Sequence, residues 1–332
     1  MCPSDLTICI CAYNAESYIL LTLESLLSQT LRGWRLLIAD DCSRDGTVSV
    51  VREYLSLHRD VEWELVLMEE NRGTAYLRQR CLEQAKTPLV MFFDADDIAK
   101  PEMVEKLFRV ISQDDELIAV SSYCDYMDAA GKPLRGGIYL GPTSKRTYMA
   151  MAVSGKNMFL PYTAMFRRDY ALKAGGYRQA EWFPVRGDGI RYQDMSEDVD
   201  LWGRMSDFYQ EGKCILVLPE TLFFYRKNTN SLSTGFSKAR VMGQKLLYIK
   251  ANLKRRRAGK EEIKFQEFWD SLSLWKRLNF ERKNLGAYFY RCACFAWVKK
   301  RLLPCAGNLF LGLLCTPLYP WEKYRANFRK KK

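Results

Sequence analysis

The chain has 332 residues, 48% hydrophobic and 27% charged, which allows a sizeable core and excludes a disordered or collagen-like protein. The formal charge is +12, and the one histidine, His58, disfavours histidine-based zinc sites and leaves near-neutral proton transfer to carboxylates. Eleven cysteines, an odd number with no C-x-x-C pair and several in apolar runs, read as buried free thiols in a reducing compartment rather than a zinc cluster.

The opening MCPSDLTICICAYN has no basic start before an apolar stretch, so no secretory signal is expected. Residues 6–13, LTICICAY, read as a buried strand, and 16–30 place Ile19, Leu20, Leu23, Leu26 and Leu27 at helical spacing. WRLLIAD (34–40) is a second strand, and a turn at 43–47 leads into a helix through Leu57. WELVLM (63–68) is a third strand, Arg72 to Ala85 a helix, and PLVMFF (88–93) a fourth strand. Pro101 then sits where a first helical turn favours it, ahead of MVEKLFRVIS. Such alternation predicts an α/β fold with a mainly parallel sheet and right-handed crossovers.

Ligands of open α/β sheets bind at the carboxyl ends of the strands. Three of these ends carry polar residues: Tyr13-Asn14, Asp40-Asp41 and Asp94-Ala95-Asp96-Asp97. There is no G-x-G-x-x-G after the first strand and no P-loop, which argues against a dinucleotide or P-loop protein. Three carboxylates in four residues repel one another unless a cation joins them. Mg²⁺ or Mn²⁺ suits such oxygen ligands, with a diphosphate completing the shell. Asp97 is also placed to cap the helix near Lys100-Pro101.

A second cluster runs Ser196-Glu197-Asp198-Val199-Asp200-Leu201-Trp202-Gly203-Arg204. Ser196 reads as an N-cap, with the two acids in a first turn that favours negative charge. One of those carboxylates could equally serve as a general base toward an acceptor hydroxyl. At the second strand's exit, Asp41 could accept from a nucleobase whose face stacks on Tyr13.

The charge divides the chain. Residues 237–332 carry 24 Lys and Arg against 6 Asp and Glu, a net +18, whereas residues 1–236 have a net −6. The shift near Phe236 marks a boundary between an α/β part and a basic, aromatic, helical extension. That extension holds the run Lys254-Arg255-Arg256-Arg257, an aromatic and cationic stretch over 284–321, and a tail ending RKKK. Leu309 to Cys315 is apolar but too short to span a bilayer. The composition fits helices lying on an anionic membrane surface, and also helices packed on the first part with solvated cations.

Taken together, ICAYNAESYILLTLESLLSQT, LLIADDCSRDGT, NRG-x4-R, VMFFDADD, MFRRDYALKAGGYRQ, SEDVDLWGR and PETLFFYRKNTNSLS resemble the inverting GT-A family-2 nucleotide-sugar glycosyltransferases over about residues 5–236. Each motif is short, and their order and spacing carry the resemblance. It implies a GT-A-like, mainly parallel, mixed sheet flanked by helices.

The resemblance also implies roles for individual residues. Ala12, Tyr13, Asn14 and Glu16 would line the nucleotide pocket, with Asp41 on the base edge and Arg78 and Ala95 near the nucleotide. Asp94 would face the ribose, and Asp96 would hold a divalent metal, Mn²⁺ or Mg²⁺, through the diphosphate. Asp198 would be the catalytic base, with Glu197 supporting the acceptor or pocket. Trp202 and Arg204 would lie near the acceptor or diphosphate, and Arg226 would reach the phosphates, although Trp202 also fits a core position. Cys11-Ala12 stands where a proline is more usual, and Gln79 where an asparagine is.

The reaction implied moves a sugar from a nucleoside diphosphate sugar, UDP first among them, to a hydroxyl of a saccharide or lipid-linked saccharide. It suits a cytoplasmic protein, peripheral on a membrane, in surface polysaccharide or glycolipid synthesis. Two other readings are a metal-dependent nucleotidyltransferase and a basic membrane- or nucleic-acid-binding protein. The acidic cluster in a net-negative part argues against nucleic acid.

Overall fold

A computed structural model describes residues 1–161, 163–227, 235–298 and 300–317. The chain divides into two compact units, Met1–Ser231 with Ile249–Glu262, and Leu232–Tyr248 with Ile263–Lys332.

The first unit alternates as the sequence pattern requires. Strand β1 (Leu6–Ala12) leads to helix α1 (Ile19–Leu27), β2 (Arg35–Asp40) to α2 (Thr47–Ser56), and β3 (Glu62–Leu67) to α3 (Thr74–Gln84). β4 (Leu89–Asp94), the short β5 (Ile98–Ala99) and α4 (Met103–Ser112) follow. Then come β6 (Leu117–Met127), β7 (Pro133–Ile138), α5 (Lys145–Val153), β8 (Ala164–Arg167), α6 (Arg168–Lys173), α7 (Glu197–Met205) and β9 (Cys214–Arg226). Among the described residues the strands form one sheet ordered β3-β2-β1-β4-β8-β6-β9-β5, with β7 paired to β6.

β1, β2, β3 and β4 run parallel, and β8 is antiparallel to β4 and β6. The apolar runs of β1, β2 and β4 are what strands covered on both faces demand, while β3 at the sheet's edge is partly exposed. α4 shows the helical counterpart: Met103, Val104, Leu107, Phe108 and Ile111 are buried at three- and four-residue spacing. The register sets Ala12 beside Asp40 and Cys11 beside Asp94, so three strand exits converge on one edge.

Two capping expectations need correction. Asp97 does not cap α4, whose N-cap is Glu102; it is fully buried and accepts the Arg226 backbone N–H at 2.9 Å. Ser196 holds the N-cap position of α7 in a left-handed conformation (φ 55°), and its side chain makes no cap bond.

The second unit is helical. It holds the first part of α8 (Phe236–Arg257), then α9 (Phe265–Ser271), α10 (Leu274–Val298) and α11 (Leu302–Cys315). Tyr248, Phe265 and Phe268 form an aromatic nucleus with ring centroids 5.6–6.3 Å apart. α11 packs back on α10: a Cβ on Gly312 would lie 3.2 Å from the Tyr290 ring, and one on Gly286 would lie 2.1 Å from Thr316 Oγ1. The tail ending RKKK, the loop after Lys227 and the last residues of the aromatic stretch lie outside the described residues. Among the described residues no helix is long and apolar enough to cross a membrane.

Candidate active site

Four loops build the site at the strand exits. After β1 the chain turns sharply at Asn14 (φ 49°). Asn14 Oδ1 accepts the Arg44 N–H at 2.9 Å, and Glu16 Oε2 accepts the Gly46 N–H at 2.8 Å. These two side chains brace the 43–47 loop, while the Tyr13 ring stands 48% exposed at the mouth. Ala12 is buried beneath it.

Asp41 is buried, and its two oxygens accept the backbone N–H groups of Arg72 and Gly73 at 2.7 and 2.8 Å. Burial raises its pKa against the pull of those two bonds. Asp194 reaches the same turn, accepting the Ala75 N–H at 2.9 Å. Two carboxylates thus hold the start of α3, where the helix dipole favours them.

On α3, Arg78 is the hinge of the site. Its guanidinium lies 3.0 Å from Asp94 at the end of β4 and 2.9 Å from Glu197 at the start of α7. It is buried and 5.6 Å from the centre of the Phe92 ring. Burial opposes its charge, but the carboxylates of Glu197 and Asp94 outweigh that and hold it firmly cationic. A charge in this setting is sustained only by such pairing.

Near it lie the partly buried thiol of Cys11, the buried thiol of Cys81 and the buried ring of Tyr177. Burial raises the Tyr177 hydroxyl well above its ordinary range, with Glu197 and Asp198 adding to the effect. Gln79 holds Tyr177 in place by accepting its N–H at 2.7 Å.

The acidic turn after β4 is held from two sides. Thr22 of α1 donates to the carbonyls of Ala95 and Asp97 at 3.0 and 2.8 Å. Arg226 of β9 is 2% exposed, and its Nε donates to the Asp96 carbonyl at 2.7 Å. Its Nη1 donates to the Asp128 and Ala129 carbonyls, and its cation lies 4.8 Å from the Tyr18 ring centre. Arg226 therefore supports the turn from beneath. Burial, then Asp94 and Asp96, push Asp97 well above the ordinary carboxylate range.

The donor set suits a hard divalent ion. Three carboxylates crowd one turn, two of them partly exposed, and the buried Asp97 Oδ2 has no hydrogen-bond partner. Among the described residues no three acidic, histidine or cysteine side chains gather into a protein-only cage. An ion here would complete its shell with oxygens from outside the protein.

At the far side of the site, Glu197 and Asp198 begin α7, each 8% exposed. Trp202 lies on the core side of the same helix, 2% exposed and edge-on to Phe166 at 5.4 Å. Arg204 is likewise buried, with Nη2 on Asp200 at 2.9 Å and Nη1 on the Ala174 carbonyl. The structure joins Arg78, Asp94 and Glu197 directly, places Tyr13, Asp41 and Asp96 just past the ends of β1, β2 and β4 and Asp198 next to Glu197 on α7, and sets Trp202 and Arg204 back into the packing of α7.

Sequence reasoning missed Asp194, Tyr177 and Arg178. The Gly-Gly-Tyr of 175–177 was the available signal. Gly176 has φ 60°, and a Cβ there would strike Gln79.

Comparison with known proteins decides the family. Residues 7–175 match the model described as Glycosyl transferase family 2. The chain belongs to that family, and it is a glycosyltransferase by that membership. It is 27% identical over 219 residues to the "Putative glycosyltransferase EpsE" of Bacillus subtilis, covering 66% of this chain and 72% of that protein. It is 35% identical over 123 residues to the "Putative teichuronic acid biosynthesis glycosyltransferase TuaG" of the same organism, covering 37% of this chain and 48% of TuaG. The match therefore spans about half of TuaG's length.

Solved structures support a GT-A-like fold. Residues 1-349 of TarS from S. aureus superpose with a TM-score of 0.52 at 16% identity, covering 90% of this chain and 88% of that one. The mannosyltransferase PcManGT of Pyrobaculum calidifontis superposes with a TM-score of 0.54 at 17% identity, covering 96% and 88%.

Proposed function

We propose that this chain moves a sugar from a nucleoside diphosphate sugar, with UDP-sugar the donor class, to a hydroxyl acceptor in surface polysaccharide or glycolipid synthesis. The observation that carries the reading is the buried Arg78, paired at once with Asp94 of the donor side and Glu197 of the acceptor side. It joins the two acidic motifs into one site.

The roles follow from position and charge. Tyr13 offers an open aromatic face to the base, and Asp41 retains lone pairs for the base edge beyond its two backbone bonds. Asp94 faces the ribose. Asp198 takes the acceptor proton as the oxygen attacks the anomeric carbon from the face opposite the leaving group. One displacement of that kind inverts the configuration. Glu197, neutralised by Arg78, keeps that face of the helix start fixed. Most of the acceleration comes from placing acceptor and donor in line and from fixed charges.

A divalent ion would be held by Asp96 through the donor diphosphate, and it supplies charge neutralisation to the departing nucleotide. The TarS structures include complexes with UDP and UDP-GlcNAc, and that of PcManGT one with GDP-Man and Mn²⁺. The name of TuaG, and of a teichoic acid polymerase from Staphylococcus epidermidis that is 34% identical over 116 residues, supports a cell-surface polymer as the setting.

The second unit would carry the enzyme to its acceptor. Residues 282–321 include six Lys or Arg and no Asp or Glu. On α10 and α11, Trp275, Trp297, Leu303, Phe310 and Leu314 are exposed. Apolar side chains beside unopposed cations fit the cytoplasmic surface of an anionic membrane.

Calorimetric titration with UDP, dTDP and GDP, each with Mn²⁺ and with EDTA, tests the site. UDP should bind only with the metal, and Asp96→Asn should weaken that binding at least tenfold. Folded protein that binds none of the three would sink the proposal.

A further inference from the structure

The start of α7 has no side-chain N-cap, yet it must hold Glu197 and Asp198 in place. What fixes this helix begins at a third acid of the same turn. Asp200, 3% exposed, accepts from Arg204 Nη2 at 2.9 Å and lies 3.4 Å from Arg178 Nε. Arg178 is itself buried, stacked 4.3 Å from the Trp182 ring centre, and its other arm pairs with Glu262. Glu262 pairs in turn with Arg256. Arg256 grips Asp207 at 2.5 Å and the Gly203 carbonyl at 3.1 Å. Arg257 closes the ladder on Asp207 at 2.9 Å and Ser206 Oγ at 3.0 Å.

All of these residues belong to the first unit, although Arg256, Arg257 and Glu262 lie beyond the charge boundary at 236. The basic run of the extension is thus partly an internal clamp on α7 and on the turn that follows it. Within the ladder itself four guanidiniums, of Arg178, Arg204, Arg256 and Arg257, meet three carboxylates, of Asp200, Asp207 and Glu262, one positive charge more.

We propose that Arg178, Asp200, Glu262 and Arg256 are positioning residues of the transfer reaction: they set α7, and so place Asp198 against the acceptor hydroxyl. The inference rests on reading Asp198 as the base. Asp200 shares the first turn of α7 with Glu197 and Asp198, so a shift at Asp200 is carried to both as a rigid movement. The donor side has its own supports in Thr22, Arg226 and the Asp41 bonds, and meets α7 through the Arg78–Glu197 pair.

The ladder's charge count gives the test. Glu262→Gln removes one of three carboxylates and leaves Arg178 and Arg256 facing each other across an uncharged amide. Adding Arg178→Met restores the original excess of one. In the full chain, turnover of a sugar nucleotide carrying the nucleotide chosen by titration is followed as released nucleoside diphosphate.

Glu262→Gln should lower kcat at least tenfold while KM for the donor and Kd for UDP with Mn²⁺ stay within about twofold. The double variant should fall no further than Glu262→Gln alone, because both residues act through one ladder. Arg178→Lys, which keeps the charge but loses the planar fork, should fall between wild type and Glu262→Gln. A Glu262→Gln protein with kcat within twofold of wild type would overturn the inference. So would a parallel fall of kcat, UDP affinity and Tm, the mark of a merely structural role. If Glu262→Gln does not fold, Arg178→Lys decides by the same split between kcat and KM. Wild-type protein without turnover would overturn the functional reading as well, which separates the two failures.

Discussion

In the first unit, Arg78, Arg178, Arg204 and Arg226 are each less than one-tenth exposed, and each meets carboxylates or carbonyls. In the second unit, Arg291 and Arg301 are exposed, on a stretch without a single acid. The same side chain does two jobs. Buried and paired, it fixes the distance between elements, and losing a partner leaves an uncompensated charge. Exposed and unopposed, it adds a field at a surface and little to stability. Net charge per segment cannot separate the two, because it counts Arg256 and Arg257 with the tail although both close on Asp207.

The sharpest break between the units is functional. Asp198→Asn should lower sugar transfer by about 10²–10⁴-fold, the range a general base supplies. Nucleotide binding with Mn²⁺ and sedimentation with anionic vesicles should stay unchanged. Arg291→Glu with Arg301→Glu should do the reverse: salt-sensitive vesicle binding falls while UDP affinity holds. If Asp198→Asn transfers at near the wild-type rate, Asp198 is not the base.

Two tryptophans make a second test, in stability. Trp202 is 2% exposed against Phe166, whereas Trp275 is 77% exposed on α10. Trp202→Ala should cost about 3–5 kcal/mol in urea unfolding, as large core truncations do. Trp275→Ala should stay within about 0.5 kcal/mol and show itself in weaker vesicle binding. Equal costs would mean that the second unit buries Trp275 against a partner.

The sheet was legible because β1, β2 and β4 are buried and read as apolar runs followed by polar or acidic residues. The four parallel strands and MVEKLFRVIS fall within a residue or so of where periodicity puts them. The placement of the acids at the strand exits was legible for the same reason, since an acid following a buried strand has few places to go. Partnerships across the sequence were not. Arg78 meets Glu197 over 119 residues, and no local spacing announces it. Asp97 looked like a helix cap because Pro101 follows, but its partner is the backbone of Arg226, 129 residues on. Gln79 departs from the usual asparagine and still serves the site, by holding the Tyr177 N–H.

The smallest effect concerns a pair that stands between the two extremes. Asp125 on β6 is 30% exposed at its side chain, and Lys100, 3.1 Å away, is 24% exposed. Burial alone would raise the Asp125 pKa, but hydrogen bonds from Tyr139, Lys100 and Thr221 outweigh it, and the net shift is downward from 3.8. A depressed folded pKa gives stability that is fully present above the unfolded value and is lost as pH falls through the folded one. Wild type should therefore lose more stability than Asp125→Asn on acidification from neutral pH to below 3.8, by no more than about 1 kcal/mol because both groups are partly solvated. Urea unfolding of both proteins at the two pH values measures the difference. Parallel acid losses would place Asp125 with the solvated charges of the second unit rather than with the clamped ones of the first.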